Sequence, residues 1–584
     1  MNIRTQCLDI ETLRELSLFC FYIPEKNEWR EFEISKWNNQ LYAFVKYCEL
    51  LSPEEWLVTF NGVNFDHQVI TWLLSNYEKW VELSPLEITA KIANYATELI
   101  DRQNYNLPPQ YREWQLFHKQ IDVFKINHLD NENRRSSLKW CEFSMNWWSV
   151  EEMPIHHSKE GLTLSEIEEV KSYCRNDVLA TWELFKWTIG ECDHPEYKGR
   201  NKVQDRMDFT TETGMECMNW SDVKIGEEWN KKDYLRLSKR KESDIYPKRV
   251  KQYFGMKYKQ FFPRTVEFIT PKVKEFVYKL GETFILNKKQ DFKLQLGNNT
   301  VTLGRGGIHS CEGPRMLLSD EEYVYIQTDI GSQYPNAYLK YGLFPSHLGK
   351  AANEMARHKI ERRLHDKEMF KKTKEPKYKS LSELGKYALN GGLYGKLRQR
   401  GSFLEDPICQ LKITMGCQLE ILMITEALIE AGHNVISLNT DGFDTLVERK
   451  RLNEFYSLCK EYEKKIGNDK LGNFEYTNFK WIVQTSVNDY LAEKEDGELK
   501  KKGDFSTDVE IHKNKSRRIV PLALEAYYTT GEKPENFLPR PQTLSAFVLG
   551  VKATKHYHYE TFDRKTGERE EYKRLVRYYV SING

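Results

Sequence analysis

Residues 323–345 read YVYIQTDIGSQYPNAYLKYGLFP. β-Branched and aromatic residues fill the first half, which predicts a strand over Tyr323–Thr328. The strand ends at Asp329, Gly331 turns the chain, and Ser332, Tyr334 and Pro335 follow at once. An acid at a strand end, followed by free backbone amides, can hold a metal ion and cradle phosphate oxygens. A simple turn former would look the same.

Working outward, residues 434–448 (NVISLNTDGFDTLVE) place two β-rich runs around Asp441-Gly442, the pattern of a hairpin. A carboxylate at such a turn stays reachable. Two acids from different strands are the minimum for two-metal phosphoryl transfer. Between them, Lys359, Arg363 and Lys367 are four residues apart in a charged helical pattern at about 353–374. Lys386 and Asn390 sit one turn apart on a second predicted helix, 383–397, with Gly391 and Gly392 inside it. A cationic stripe facing a further cation suits a triphosphate. Glu361 and Asp366 interrupt the stripe, as on an ordinary solvated helix. Glycines 304, 306 and 307 cluster ahead of Asp329.

The N-terminal third carries a second set of acids. In Leu8-Asp9-Ile10-Glu11 a strand would put Asp9 and Glu11 on one face and Leu8 and Ile10 on the other. Adjacent carboxylates repel unless a cation lies between them, and hard divalent cations prefer carboxylate oxygens. Residues 60–70 (FNGVNFDHQVI) set Asp66 between Phe65 and the apolar Val69 and Ile70, at the mouth of a core. In residues 172–185 (SYCRNDVLATWELF), Tyr173 and Asp177 are i,i+4 on a helix predicted over 163–188, so phenol and carboxylate project together. Thr163 and Ser165 are its cap candidates.

Composition bounds the function. The chain has 584 residues, 40% hydrophobic and 30% charged, which suggests several domains and excludes a largely disordered chain. No apolar stretch reaches the roughly 18 residues of a spanning helix, and no leader is expected at the N-terminus. The net charge of +1 is asymmetric: residues 1–190 carry −10, leaving +11 for the rest. A basic C-terminal two-thirds can hold phosphates while an acidic third does metal chemistry. The 11 cysteines are scattered without CxxC spacing, so reduced thiols in the cytoplasm are expected. Aromatic residues make up 13%, mostly core by expectation.

Taken in order, Asp9-x-Glu11, Asn61-x-x-x-Phe65-Asp66 and Tyr173-x-x-x-Asp177 resemble the three motifs of DEDD-type 3′–5′ proofreading exonucleases, in the variant with tyrosine in the third. DIGSQYPN, KYALNGGLYG and NTDG resemble motifs A, B and C of family B DNA polymerases, and GRGGIHS resembles the glycine element between exonuclease and polymerase. Residues 521–540 look like a C-terminal segment of phage-encoded members. The resemblance implies a multidomain α/β and α+β chain, a ribonuclease-H-like exonuclease followed by a right-hand palm, fingers and thumb. Its expected boundaries are 1–190 exonuclease, 191–315 connection and start of palm, 316–349 palm, 350–400 fingers, 401–515 palm and 516–584 thumb.

The resemblance further implies that Asp9, Glu11, Asp66 and Asp177 hold two Mg²⁺ or Mn²⁺ ions, that Tyr173 orients the attacking water, and that Asn61 and Phe65 contact the primer end. Asp329 and Asp441 would bind a second pair of metals, with the Ile330 carbonyl. Ser332, Arg363, Lys367 and Lys386 would hold the triphosphate. Tyr334 would reject a ribose 2′-OH, and Asn390 and Tyr394 would line the nascent base pair. Gly306, Gly307, Tyr490 and Lys502 would touch DNA. The expected activity is template-directed DNA synthesis with proofreading, on a primer–template with dNTPs, by a monomer in the cytoplasm of a host cell. A processivity or single-strand-binding protein is a candidate partner; a membrane is not.

Four departures stand out. Gln333 replaces a leucine of motif A. Asn390 to Gly395 is five steps where motif B has four, which leaves open whether Lys386/Asn390 or Tyr394/Gly395 is in register. Motif C has Asn439 and Gly442 in place of aspartate and serine. The KxY element appears as Asn488-Asp489-Tyr490, with Lys502 as a candidate for the missing charge. The spacings, 61 residues from Asp329 to Asn390 and 51 on to Asp441, predict compact fingers and modest processivity. The alternatives are an exonuclease on an inactive polymerase body, a DNA-binding scaffold, and protein-primed or primase-like initiation.

Overall fold

The computed structural model describes residues 3–579 apart from 106, 132–133, 195–196, 198, 311–312, 468–472, 514–515, 541–543, 554–556, 558 and 573–574. The chain divides into two units. The first comprises Met1–Ser221, Asp508–Val520 and Glu535–Gly584, and the second Asp222–Thr507 and Pro521–Pro534. The stretch 516–584 is thus divided between the two units, and the first unit runs past residue 190 to Ser221.

The first unit is an α/β layer structure. Strands β1 (Thr5–Leu13), β2 (Leu16–Ile23), β3 (Glu28–Ser35), β4 (Trp56–Thr59) and β5 (Gln120–Asp122) lie in the order β3-β2-β1-β4-β5. The first three form an antiparallel meander, and β4 and β5 run parallel to β1. β1 alternates as expected. Leu8 and Ile10 pack under α1 (Leu41–Leu50), α2 (Asp66–Leu74) and α3 (Pro85–Asn104). Cys7 and Leu13 face the opposite layer of α4 (Val123–Ile126), α5 (Leu138–Ser144), α6 (Leu164–Ile189) and α7 (Lys202–Thr213). α6 starts at a Thr163–Glu166 capping box and stops at left-handed Gly190. Val509 and Ile511, some three hundred residues later, are buried in the α6 layer. Gly550 lies so near Phe143 that an added Cβ would sit 1.8 Å from the ring.

In the second unit, α8 (Asp222–Ser238) and α9 (Pro271–Glu282) precede a small sheet of β6 (Phe292–Leu296), β7 (Asn299–Leu303) and β8 (Ile308–His309). The main sheet is antiparallel throughout. It uses β9 (Arg315–Leu318), β10 (Tyr323–Ile330), β11 (Asn434–Asn439), β12 (Gly442–Glu448), β13 (Phe474–Ser486), β14 (Asp489–Lys494) and β15 (Leu499–Lys502). The order is β11-β12-β10-β13-β14-β15, with β9 also on β13. After β10 come α10 (Gln333–Lys340) and a helical hairpin, α11 (Lys350–Thr373) and α12 (Pro376–Leu389), against which α8 packs.

α13 (Pro407–Glu430) is long and apolar enough to cross a membrane by length and composition, which the sequence reading did not expect. It is apolar on every side because 89% of its most apolar window is buried; Leu411, Met415, Leu419 and Leu422 fill the core beneath the sheet. α14 (Leu452–Lys465) packs beside it, and α15 (Ile519–Thr530) ends at left-handed Gly531.

Candidate functional sites

In the first unit, Asp9 and Glu11 project from β1 toward α6, which presents Tyr173, Cys174 and Asp177. Ligand atoms of Asp9, Glu11 and Cys174 all lie within 4.8 Å of one another. The Cys174 thiol is 3.8 Å from Asp9 Oδ2, and Cys7 Sγ donates to the Val178 carbonyl at 3.2 Å, tying strand to helix. Asp66 opens α2 and is buried. The loop before it is held by Asp122, whose carboxylate accepts the amides of Asn61 (2.9 Å) and Val63 (3.1 Å), with Asn61 at a left-handed φ of 66°.

The electrostatics of this cluster are those of carboxylates crowded out of water. Burial, then repulsion from Asp66 and Asp177, pushes Asp9 well above the usual carboxylate range; burial and Asp9 do the same to Glu11. Burial takes Asp66 up to about 7 and raises Asp177. The local cation is Lys139 on α5, paired with Asp177 and, at 3.3 Å, with Glu142, and lying 4.5 Å over the Tyr173 ring. Burial opposes its charge, but Asp177 and Glu142 hold Lys139 above its ordinary value. Among the described residues Lys139 is the cation acting on Asp9, Glu11 and Asp177, and one ammonium cannot balance three acids, so the donor set fits hard divalent cations.

The sequence missed Lys139, Cys174 and Asp122. Cys174 follows Tyr173 directly, and its register was the available signal. Nothing local marks Lys139. Asn61 lines a cavity of about 320 Å³ with Asn64, Arg102 and Gln103, whereas Phe65 is half-buried against the sheet core and outside that lining.

In the second unit, a cavity of about 680 Å³ collects residues that are far apart in sequence. It is lined by Asp329, Ile330, Ser332, Tyr334, Arg363, Lys367, Lys386, Asn390, Tyr394, Asp441, Tyr490 and Lys502, among others. The two acids meet because β10 and β12 are paired. Asp329 stands opposite Gly442, and the Ile330 amide donates to the Asp441 carbonyl at 2.8 Å. The hairpin turn is Thr440-Asp441, one residue earlier than the Asp441-Gly442 expected from the sequence, since Asn439 pairs with Gly442. Asp441 remains at the turn. Burial raises Asp329 to about 6 against the pull of Lys500.

The residue by which KYALNGGLYG exceeds the motif it resembles falls in a π-helical turn. α12 ends at Leu389, and Asn390–Tyr394 form the wide turn, closed by the Gly395 amide on the Asn390 carbonyl. Lys386 one turn before it, Asn390 at its start and Tyr394 at its end all line the cavity. The predicted helix 383–397 is accordingly broken. Gly392 lets this turn pack closely on α8: a Cβ there would meet the backbone of Gly226 and Glu227 at 2.6 and 2.7 Å. Tyr394 stacks on Tyr334 with ring centroids 4.1 Å apart and 6° between planes, and Thr414 and Gln410 fix its hydroxyl at 2.8 and 2.9 Å.

Arg363 crosses from α11, with its guanidinium 3.2 Å from Ser332 Oγ; Ser332 is itself left-handed, φ 52°. Lys359, the first residue of the expected cationic stripe, is not in the cavity. It is 2% exposed, its ammonium is 2.5 Å from Asp233 and 3.4 Å over the Trp229 ring, and burial pushes it down to about 7. Eight residues along an α-helix turn about 80° past two whole turns, so Lys359 faces α8 when Lys367 faces out.

Lys502 pairs directly with Tyr490 across β14–β15, and Lys500 lies on the same strand face, donating to Gln327 Oε1 at 2.5 Å. Lys500, Gln327, Asn439 and Glu475 also line the cavity and were missed; strand alternation in LKKK was the signal for Lys500. Gly306 and Gly307 are outside the lining. Gly307 abuts Thr440 instead, where a Cβ would come 2.7 Å from its hydroxyl.

No protein-family model matches the chain, and no curated protein matches it. Among solved structures, a family B DNA polymerase from the hyperthermophilic archaeon Pyrobaculum calidifontis aligns over 95% of this chain and 68% of its own. The identity is 14% and the TM-score 0.41, too shallow an overlap to fix a shared fold.

Proposed function

We propose that the chain is a template-directed DNA polymerase of the family B type with its own 3′–5′ proofreading exonuclease. The observation that carries the reading is the cavity of the second unit. It sets two acids from neighbouring strands against Arg363, Lys367 and Lys386 from a helical hairpin, with stacked tyrosines between.

Asp329 and Asp441 are the donors for divalent cations, Mg²⁺ or Mn²⁺, which when bound there would polarise a phosphate and favour in-line attack by a primer 3′ oxygen. The chain's own residues do the rest. Arg363, Lys367 and Lys386 hold the triphosphate. Tyr334, braced by Tyr394, fills the place of a ribose 2′-OH, and Asn390 borders the base. Tyr490, Lys500 and Lys502 grip the primer strand. In the first unit, the sheet order β3-β2-β1-β4-β5, with two antiparallel and two parallel pairings, supports reading it as a ribonuclease-H-like exonuclease. Asp9, Glu11, Asp66 and Asp177 are the donors there, Tyr173 orients a water, and Lys139 neutralises Asp177.

The test is a gel assay on a 5′-labelled primer–template with Mg²⁺, with and without dNTPs. The expected result is extension with dNTPs and shortening without them. Extension alone should fail in Asp441→Ala, and shortening alone in Asp9→Ala/Glu11→Ala. Shortening without extension in the wild type would refute the polymerase reading and leave a nuclease.

A further inference from the structure

The outer helical face of the first unit holds a cavity of about 840 Å³ that the proposed chemistry does not use. Its floor is aromatic. Trp72 stacks on Tyr95 with centroids 4.4 Å apart and 9° between planes, and Trp80 lies tilted against it, 5.1 Å away with 52° between planes. Its rim is cationic: Lys79, Lys91 and Arg102, against the single acid Glu98. Tyr95 is 5% exposed, and its hydroxyl has no hydrogen-bond partner. A buried phenol left unsatisfied costs free energy unless something bonds to it. Aromatic faces beside cations are the recognition chemistry of single-stranded nucleic acid, with bases stacking and phosphates paired.

The place of the cavity suggests the occupant. Arg102 also lines the smaller cavity that holds Asn61 and Asn64, and Asn64 is two residues before Asp66 in the chain. Asp66 and Trp72 share α2, about 9 Å apart along its axis. Asp9 and Glu11 face α6 while Trp72 packs on the other side of the sheet, so a strand leaving the acid cluster would round the sheet past Asp66, Asn61, Asn64 and Arg102 to reach Trp72 within this unit. We propose that the cavity binds single-stranded DNA, receiving nucleotides upstream of the 3′ end that enters the acid cluster. The inference rests on the exonuclease reading for the polarity of the strand; the binding stands without it.

The experiment uses the full chain carrying Asp9→Ala/Glu11→Ala, without divalent metal, and an oligothymidylate of about 16 nucleotides with 5-iodouracil at successive positions. Ultraviolet crosslinks mapped by mass spectrometry should fall on Trp72, Trp80 or Tyr95 when the label is a few nucleotides from the 3′ end. Lys79→Glu/Lys91→Glu, two exposed changes, should remove these crosslinks. They should also weaken binding about tenfold by fluorescence anisotropy, and reduce the slope of log affinity against log salt by about 1.4, at about 0.7 per phosphate contact. Crosslinks confined to other regions, or unchanged binding and slope in the double variant, would overturn the proposal. So would loss of the crosslinks to free dTMP or dTTP at equimolar excess over nucleotide units, which would make the ligand a mononucleotide. If the crosslinks appear but the wild type shortens no primer, the cavity stands and the exonuclease reading falls.

Discussion

Gly442 faces Asp329 across the β10–β12 ladder, where the resembled motif carries serine. Its φ is not positive, so its backbone does not need glycine; the constraint is space. A Cβ at 442 would sit 2.5 Å from the Thr328 carbonyl oxygen and 2.7 Å from Asp329 Oδ1. Ordinary contact begins at 3.4 Å, so Gly442→Ala or Gly442→Ser must open the ladder by about 0.9 Å beside the two acids. Forcing atoms into packed space costs about 1–3 kcal/mol. A misplacement of about 1 Å between reacting groups costs about 10²-fold in rate. Single-turnover incorporation of one nucleotide should therefore fall about a hundredfold in either variant, with a lower unfolding temperature. Primer shortening by the same preparation serves as the internal reference. Wild-type incorporation and unchanged unfolding in both variants would refute the claim that the approach of Thr328 and Asp329 fixes the glycine.

Three further outcomes are expected. Tyr334→Ala should relax selection against ribonucleotides while DNA binding stays near normal, measured as the ratio of rNTP to dNTP incorporation; an unchanged ratio removes Tyr334 from that role. Lys139→Met leaves Asp177 and Glu142 buried without their cation, so shortening should be lost and stability should drop by about 3–5 kcal/mol, with extension by the folded fraction retained. Lys359, pushed down to about 7 by burial, is neutral in the folded chain above that pH, while the unfolded chain keeps its proton up to the ordinary lysine value. The unfolded state binds more protons across that window, so stability should rise with pH from about 7 toward 10, by at most about 1.4 kcal/mol per unit. Thermal unfolding of Lys359→Met should show a flatter profile over the same range, and parallel profiles would contradict the assignment.

The sequence carried the parts of the fold that depend on local periodicity. Alternation at Leu8–Glu11 set the faces of β1, and the Thr163 capping box set the start of α6 within a residue. Asp329, Asp441, Arg363, Lys367 and Lys386, grouped in the sequence by strand ends and helical spacing, line one cavity. What was hidden depends on three-dimensional neighbours. Lys359 shares a spacing with Arg363 and Lys367, but only packing against α8 decides that it is buried. The residue by which KYALNGGLYG exceeds the motif it resembles reads as a register conflict, because a π turn has no signature beyond the glycines that let it pack. Lys139 reaches Asp177 from a different helix, 38 residues away.

The first unit is written discontinuously along the chain, and that sets an order on its synthesis. Val203, at the end of its N-terminal segment, shares a core with Val509 and Ile511. At about 5–20 residues per second, a ribosome needs about 15–60 s to travel from one to the other. For that interval the nascent α6 layer has its helices but not the strand of chain that closes it, and residues 222–507 of the second unit are made meanwhile. The interval is a window for chaperone binding, and a slowed ribosome between residues 222 and 507 would lengthen it.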